Sequence, residues 1–174
     1  LGLRVGVPMD AVRYFAREFG GGPKAPQDVV IEAAPPGIRF AATVDAMGTA
    51  LRAMAVIYIE ELAVGVDQIR IGLRIEGLSL NVLGDASSPI AGLIKSGALD
   101  LSKPGNLVAF MPKRPAALID AKDDRIVVDL MKVPKIAQNP KVKHALGIVT
   151  PVLGVRALKT KDDHLDLHLA ADLS

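Results

Sequence analysis

The chain has 174 residues, a formal net charge of +2 and no cysteine. This length is enough for one domain with a sizeable core, and the lack of cysteine excludes disulfides and thiolate metal sites. Half of the residues are hydrophobic but only 3% are aromatic, so both the small charge and the scarcity of rings argue against nucleic-acid binding.

The first predicted element is an amphipathic helix over residues 7–20. Its apolar residues fall at helical spacing on one face and are Val12, Phe15, Ala16 and Phe19. We interpret it as a packing helix that covers a sheet. The glycines at residues 20–22 follow this helix instead of preceding one, which argues against a nucleotide-binding loop.

The central prediction is an antiparallel meander over residues 28–83. Apolar and polar residues alternate there with the period of a strand, and the middle of residues 51–64 is apolar on both sides. At Gly77 the alternation slips by one residue, as a β-bulge would make it do, so we expect a strongly curved sheet. Small residues on these strands favour an apolar cavity, and a filled core is the alternative.

Short helices and hairpins are predicted for the rest of the chain. They are a helical region, a hairpin, a second helix and a closing hairpin, over residues 88–111, 115–132, 134–153 and 155–170. Ser88 with Pro89, and Asn139 with Pro140, predict helix starts. The whole pattern predicts an α+β fold in one domain, residues 1–174, with a strongly curved meander wrapped around or covered by two to three short amphipathic helices.

Three residues near the C-terminus form a weak metal-site candidate. On a strand, His164, Asp166 and His168 project from one face, and two imidazoles with a carboxylate can bind zinc or another divalent metal. The alternative is the solvated face of an outer strand, with the intervening leucines turned inward. No nucleophile elbow or zinc-protease motif occurs, so we expect neither a catalytic residue nor a cofactor and expect a protein that is not an enzyme.

A group of lysines suggests a second kind of contact. They lie in and before the second predicted helix and are Lys132, Lys135, Lys141 and Lys143. An amphipathic helix with a basic side can dock on an anionic membrane surface, which predicts peripheral membrane or anion contact. The alternative is an ordinary solvated helix face.

The sequence gives little indication of the compartment. Its apolar runs are interrupted well short of the roughly 20 residues that span a bilayer, so we expect a soluble protein. No signal peptide is visible, but the chain begins at Leu1. Cytoplasmic and cell-envelope locations are both open.

The order of elements resembles that of the tubular lipid-binding (TULIP) superfamily, which includes bactericidal/permeability-increasing-type domains and their short bacterial relatives. The resemblance is carried by the meander 38–82, the proline-punctuated link 111–115, the hairpin 117–130 and the segment 134–169. In that superfamily a curved sheet wraps a long helix and leaves an apolar groove for lipids. The resemblance implies a groove lined by Phe40, Ala42, Ala53, Ala55, Ile57, Ile71, Leu73, Ile75, Val142, Leu146 and Val149.

The leading hypothesis is therefore a non-enzymatic protein that binds or transports a hydrophobic ligand, such as a lipid or a fatty-acid-like molecule. An alternative is a structural or protein-interaction module with a filled core, whose apolar surface contacts a partner or a second copy in a homo-oligomer. A metal-dependent enzyme that uses His164, Asp166 and His168 is the third hypothesis.

Overall fold

The computed structural model describes residues 3–19, 25–84, 87–110, 114–147 and 153–171. The strands are β1 Leu3–Pro8, β2 Gln27–Ala34, β3 Gly37–Ala46, β4 Thr49–Val64, β5 Ile69–Val82, β6 Leu118–Lys122, β7 Arg125–Asp129, β8 Leu153–Lys161 and β9 His164–Ala171. The α-helices are α1 Met9–Phe19, α2 Pro89–Lys95, α3 Pro134–Ala137 and α4 Pro140–Gly147, and two 3₁₀ helices cover Pro104–Phe110 and Leu130–Lys132. The predicted α+β class with an antiparallel meander is confirmed.

The strands form two antiparallel sheets that meet on β4. Six strands lie in the order β2-β3-β4-β5-β7-β6, and β1-β9-β8 form a three-stranded sheet. On one edge of β4, β3 pairs with residues 49–57, while β8 pairs only with Ala63 and Val64. The two sheets therefore diverge from the same strand. Thr160 of β8 links them again, since its main-chain N–H donates to the carbonyl of Pro36 at 3.0 Å.

Two register shifts interrupt the long β4–β5 pair. One lies between Met54 and Val56, opposite Gly77, whose φ is +63°. The other lies between Ile59 and Glu61. Bulges of this kind bend and twist strands. The one-residue slip predicted at Gly77 is confirmed.

A core cluster fills the space between α1 and the two sheets. Met9 of α1 is completely buried, and Ile38 of β3 and Leu165 of β9 are 8% exposed. Val12 and Ile31 pack against these three residues. Burial of such aliphatic side chains is the main force that holds α1 on the sheets.

The predicted start of the first helix is wrong. The helix begins at Met9, and residues 3–8 form β1, which the sequence pattern did not predict. Val7 pairs with Leu165 and Pro8 with His164, so β1 exists because β9 provides a partner. Pro8 lacks a main-chain N–H, and it stands where the strand ends and the helix starts.

The single helix predicted over residues 134–153 is also wrong. Two short helices, α3 and α4, occupy residues 134–147, and Leu153 already belongs to β8. Asn139 starts the second of them, because its Oδ1 accepts hydrogen bonds from the N–H groups of Lys141 at 2.9 Å and Val142 at 3.3 Å. Pro140 follows directly and cannot donate to a preceding turn. Residues 148–152 lie outside the described part of the chain.

The other predicted helix start is confirmed. Ser88 caps α2, because its side chain accepts from the N–H of Ala91 at 3.3 Å, and Pro89 is the first helical residue. The predicted hairpin 115–132 is also present, although its strands are shorter and a 3₁₀ helix occupies its last three residues.

Candidate functional site

A cavity of about 730 Å³ lies between α1 and the β2–β3 hairpin. This volume falls within the roughly 300–1,000 Å³ of typical small-molecule sites. Most of its wall is aliphatic or aromatic, and three charged side chains reach it. The lining residues are Arg13, Ala16, Arg17, Ala25, Pro26, Val29, Val30, Ile31, Glu32 and Phe40.

One face of α1 forms the helical wall. Arg13, Ala16 and Arg17 are spaced i, i+3 and i+4, so they lie on the same side of the helix. Met9 and Val12 on a neighbouring face pack into the core cluster. The core contacts of the first two turns therefore hold the later residues over the cavity.

The strand wall follows the outer edge of β2. Four consecutive residues, Val29 to Glu32, contact the cavity. Successive strand residues point to opposite faces, so a cavity that touches four in a row passes around the edge of the strand. Among the described strands β2 pairs only with β3, which leaves that edge accessible. Val29 is 44% exposed, so apolar surface remains open to a ligand there.

Arg13 is held by three acceptors. Its Nε donates to the carbonyl of Ile31 at 2.6 Å, and its terminal nitrogens donate to Asp10 at 2.6 Å and to Asp163 at 3.2 Å. The hydrogen bonds that Arg13 donates, first to Asp10 and then to Asp163, raise the pKa of Arg13. Arg13 thus ties α1 to β2 and to the β8–β9 turn.

The other two charged lining residues differ in their surroundings. Glu32 forms an ion pair of 3.6 Å with Arg39 on the neighbouring strand. Arg17 is exposed and forms no ion pair or hydrogen bond with any described residue. Among the described lining residues, Arg17 is therefore the charge that lacks a compensating group.

The strand residues of the predicted groove share one face of the six-stranded sheet. Cross-strand pairs such as Phe40 with Ala55 and Ile57 with Ile75 put them on the same side. That set comprises Phe40, Ala42, Ala53, Ala55, Ile57, Ile71, Leu73 and Ile75. Only Phe40 lines the cavity.

The predicted helical wall of the groove does not reach the cavity. Leu146 is 5% exposed and Val142 is half-buried on α4, but neither lines the cavity. Val149 lies outside the described residues. The cavity instead adjoins α1, at the opposite end of the chain.

The opposite face of the six-stranded sheet carries a charged patch. The guanidinium of Arg74 lies 4.3 Å from the ring centre of Tyr58, and its Nε is 2.6 Å from Glu60. Glu76 also pairs with Arg74. This charged patch contrasts with the apolar face, which packs in the core and borders the cavity.

The four lysines of the predicted membrane contact are all exposed. Lys132 ends a 3₁₀ helix, Lys135 lies on α3, and Lys141 and Lys143 lie on α4. They occupy consecutive elements outside the cavity wall. Their contact with a membrane stays a prediction.

The three residues of the metal-site candidate share one face of a strand as predicted, but basic residues lie beside them. Leu165 and Leu167 of β9 pack in the core cluster, so His164, Asp166 and His168 share the other face. Basic residues stand opposite them in the register, with Arg4, Lys159 and Lys161 paired to His168, Asp166 and His164. Cations at these positions compete with a metal ion for the carboxylate. Within the described ranges no group of three or more His, Cys, Asp or Glu side chains is placed to hold a metal.

Comparison of the chain with protein-family models, curated proteins and solved structures finds no match. None of the described helices has the length and apolar character needed to cross a bilayer. Proposals on function therefore rest on the geometry and charge of the cavity and of the exposed surfaces.

Sequence reasoning missed most of this site. It placed Ala16 on the apolar face of the first helix but took that helix for a packing element. The i, i+4 spacing of the two arginines beside Ala16 was the available signal, because a basic pair next to a small residue can border a groove. The contact between Arg13 and Asp163 could not be predicted from local spacing, because Asp163 is 150 residues away along the chain.

Proposed function

We propose that this protein binds a hydrophobic small molecule, such as a lipid or a fatty-acid-like compound, in the cavity between α1 and β2. The observation that carries the proposal is a volume of about 730 Å³ bordered mainly by apolar side chains. A ligand of this class is held by the apolar area it buries, at about 25 cal/mol per Å².

The geometry supports a carrier or sensor better than an enzyme. The charged lining residues are two arginines and Glu32, and Arg13 and Glu32 already form ion pairs. Such groups bind and orient, whereas general acid–base catalysis needs a group that can exchange a proton near neutral pH. The resemblance of the element order to that of the TULIP superfamily supports the same proposal. The ligand site then lies against α1 and not against the helix that carries Val142 and Leu146.

Contact with an anionic membrane surface is a further part of the proposal. Lys132, Lys135, Lys141 and Lys143 are exposed on short neighbouring elements, and basic side chains near anionic lipids contribute about 1 kcal/mol each. Vesicle sedimentation with and without anionic lipid tests this part separately from ligand binding.

A second candidate, a protein-interaction module, is supported by apolar side chains at one end of the six-stranded sheet. Met47 in the β3–β4 turn is 60% exposed and Leu83 after β5 is 57% exposed. Leu83 donates its N–H to the carbonyl of Ala50 at 2.9 Å, which puts both side chains at the same end. If this end binds a second copy, the double substitution Met47→Ser with Leu83→Ser will convert an oligomer to a monomer in light scattering.

Ligand binding is tested directly on the purified protein. Native mass spectrometry should show a mass adduct that organic extraction removes, and Nile red, an uncharged fluorescent probe, should then bind the extracted protein. An unliganded protein that also leaves Nile red fluorescence unchanged would overturn the proposal.

A further inference from the structure

The cavity wall carries one charged side chain that no described residue compensates. Arg13 is compensated by Asp10 and Asp163, and Glu32 is compensated by Arg39, whereas Arg17 has no described partner. We infer that the ligand is a single-chain amphiphile with a carboxylate headgroup, which Arg17 binds at the mouth of the cavity while the alkyl chain lies inside. This inference rests on the proposed function.

Arg13 does not serve as the headgroup partner, although it lines the same wall. Three of the five N–H donors of its guanidinium are directed at Ile31, Asp10 and Asp163. Two carboxylates already neutralise its charge, and a third anion would be repelled by them. The available positive charge therefore lies one helical turn further along α1, at Arg17.

The apolar side chains of the cavity wall indicate where the alkyl chain lies. Ile31 and Phe40 are paired across β2 and β3 and project from the same face toward α1, and Ala16 opposite them is small. An alkyl chain along this wall leaves its polar end near Arg17, which is exposed to solvent. The headgroup thus stays hydrated while the chain is buried, which is the arrangement that costs least desolvation.

A carboxylate fits Arg17 better than other headgroups do. The planar guanidinium presents donors in a fork that matches the two oxygens of a carboxylate. A cationic headgroup would meet like charge at Arg17, and an uncharged one would gain no electrostatic attraction. The preference will be modest, because solvent screens an exposed pair and because Arg17 lies in the last turn of α1, where the helix dipole is negative.

Displacement of Nile red by three ligands with the same twelve-carbon chain tests the inference. The ligands are dodecanoate, methyl dodecanoate and dodecyltrimethylammonium. In the unsubstituted protein, dodecanoate should bind about three- to tenfold more tightly than the ester, in line with an exposed charge pair. The cationic compound should bind more weakly than the ester. Raising the salt concentration should weaken the binding of dodecanoate and leave the binding of the ester unchanged.

Two substitutions then assign the preference to one residue. In Arg17→Gln the difference between dodecanoate and the ester should disappear, and in Arg17→Lys part of it should remain. Arg70→Gln removes the same charge from an exposed position on β5 that does not line the cavity, and it should keep the full preference.

The outcomes separate the two claims. If Nile red binds but dodecanoate and its ester displace it equally, the carboxylate inference is wrong and the hydrophobic cavity stands. A preference that survives in Arg17→Gln also overturns the inference. If Nile red does not bind at all, the proposed function itself fails.

Discussion

The Nε of Arg13 donates a hydrogen bond of 2.6 Å to the main-chain oxygen of Ile31, and this bond joins α1 to the outer edge of β2. The same guanidinium reaches Asp163 in the β8–β9 turn at 3.2 Å. One side chain thus connects the helix, the edge strand and the three-stranded sheet at one end of the cavity.

Replacing Arg13 should loosen this end of the fold. Arg13→Gln keeps a polar side chain but loses the ion pairs with Asp10 and Asp163, so we expect a lower Tm in thermal unfolding. Arg70→Gln, at an exposed site, should leave the Tm unchanged. Equal Tm values for the two variants would contradict the role given to Arg13.

A side chain at Gly105 should destabilise the protein. A Cβ there would lie 2.7 Å from the carbonyl oxygen of Arg125 and 2.8 Å from that of Asp123, and these are main-chain atoms that cannot move away cheaply. We expect Gly105→Ala to lower the free energy of unfolding by about 1–3 kcal/mol in urea denaturation, as overpacking does.

Gly92 on α2 provides the matched control for Gly105. Beyond the adjacent residues and the backbone of α2, no atom of the described residues lies within 4 Å of the position of its missing Cβ. In a helix interior, Gly92→Ala should therefore stabilise the protein by about 0.5–1 kcal/mol. Effects of the same sign and size at both glycines would show that the 3₁₀ helix does not pack on the β6–β7 turn.

Asp129 should be sensitive to loss of its acceptor oxygen. Its side chain is buried and accepts hydrogen bonds from the N–H groups of Ile69 at 3.1 Å and Met131 at 3.0 Å. Asp129→Ala leaves both donors without this partner, so we expect a loss of about 2 kcal/mol in urea denaturation. Asp129→Asn retains one acceptor oxygen and should lose less. If Asp129→Ala is as stable as the unsubstituted protein, the hydrogen bonds to Asp129 do not stabilise the start of β5.

Asp100 should report on a local hydrogen bond through its titration. The side-chain hydroxyl of Ser102 donates to Asp100, and this bond, with a second one from the main-chain N–H of Ser102, lowers the pKa of Asp100. The ionised form then stabilises the fold above the unfolded pKa, and this contribution disappears as the pH falls through the lower folded pKa. Ser102→Ala should raise the pKa of Asp100 toward its usual range in an NMR titration, and an unchanged pKa would refute the assignment.

Local sequence signals predicted the elements whose causes are local. Gly77 revealed the bulge because the alternation of apolar residues changes phase there. Ser88 and Asn139 revealed helix starts because their side chains cap the N–H groups two or three residues later. The meander followed from strands that pair with their neighbours in sequence.

Elements that depend on distant partners were not predictable in this way. The strand β1 is stabilised by β9, whose residues come more than 150 positions later, so nothing near Val7 signals it. The helical spacing of Val142 and Leu146 continued by coincidence to Leu153, which belongs to β8. Most of the candidate site was missed for the same reason, because it forms where α1 meets the edge of β2.

The measurement that tests the central claim most directly is the Nile red dissociation constant of Ala16→Phe relative to Ala11→Phe. Ala16 lines the cavity, whereas Ala11 is exposed on the same helix, so both variants add the same ring at different places. We expect Ala16→Phe to weaken binding by about tenfold, equivalent to about 1.4 kcal/mol, and Ala11→Phe to leave it unchanged. Equal affinities in the two variants would contradict a ligand site between α1 and β2.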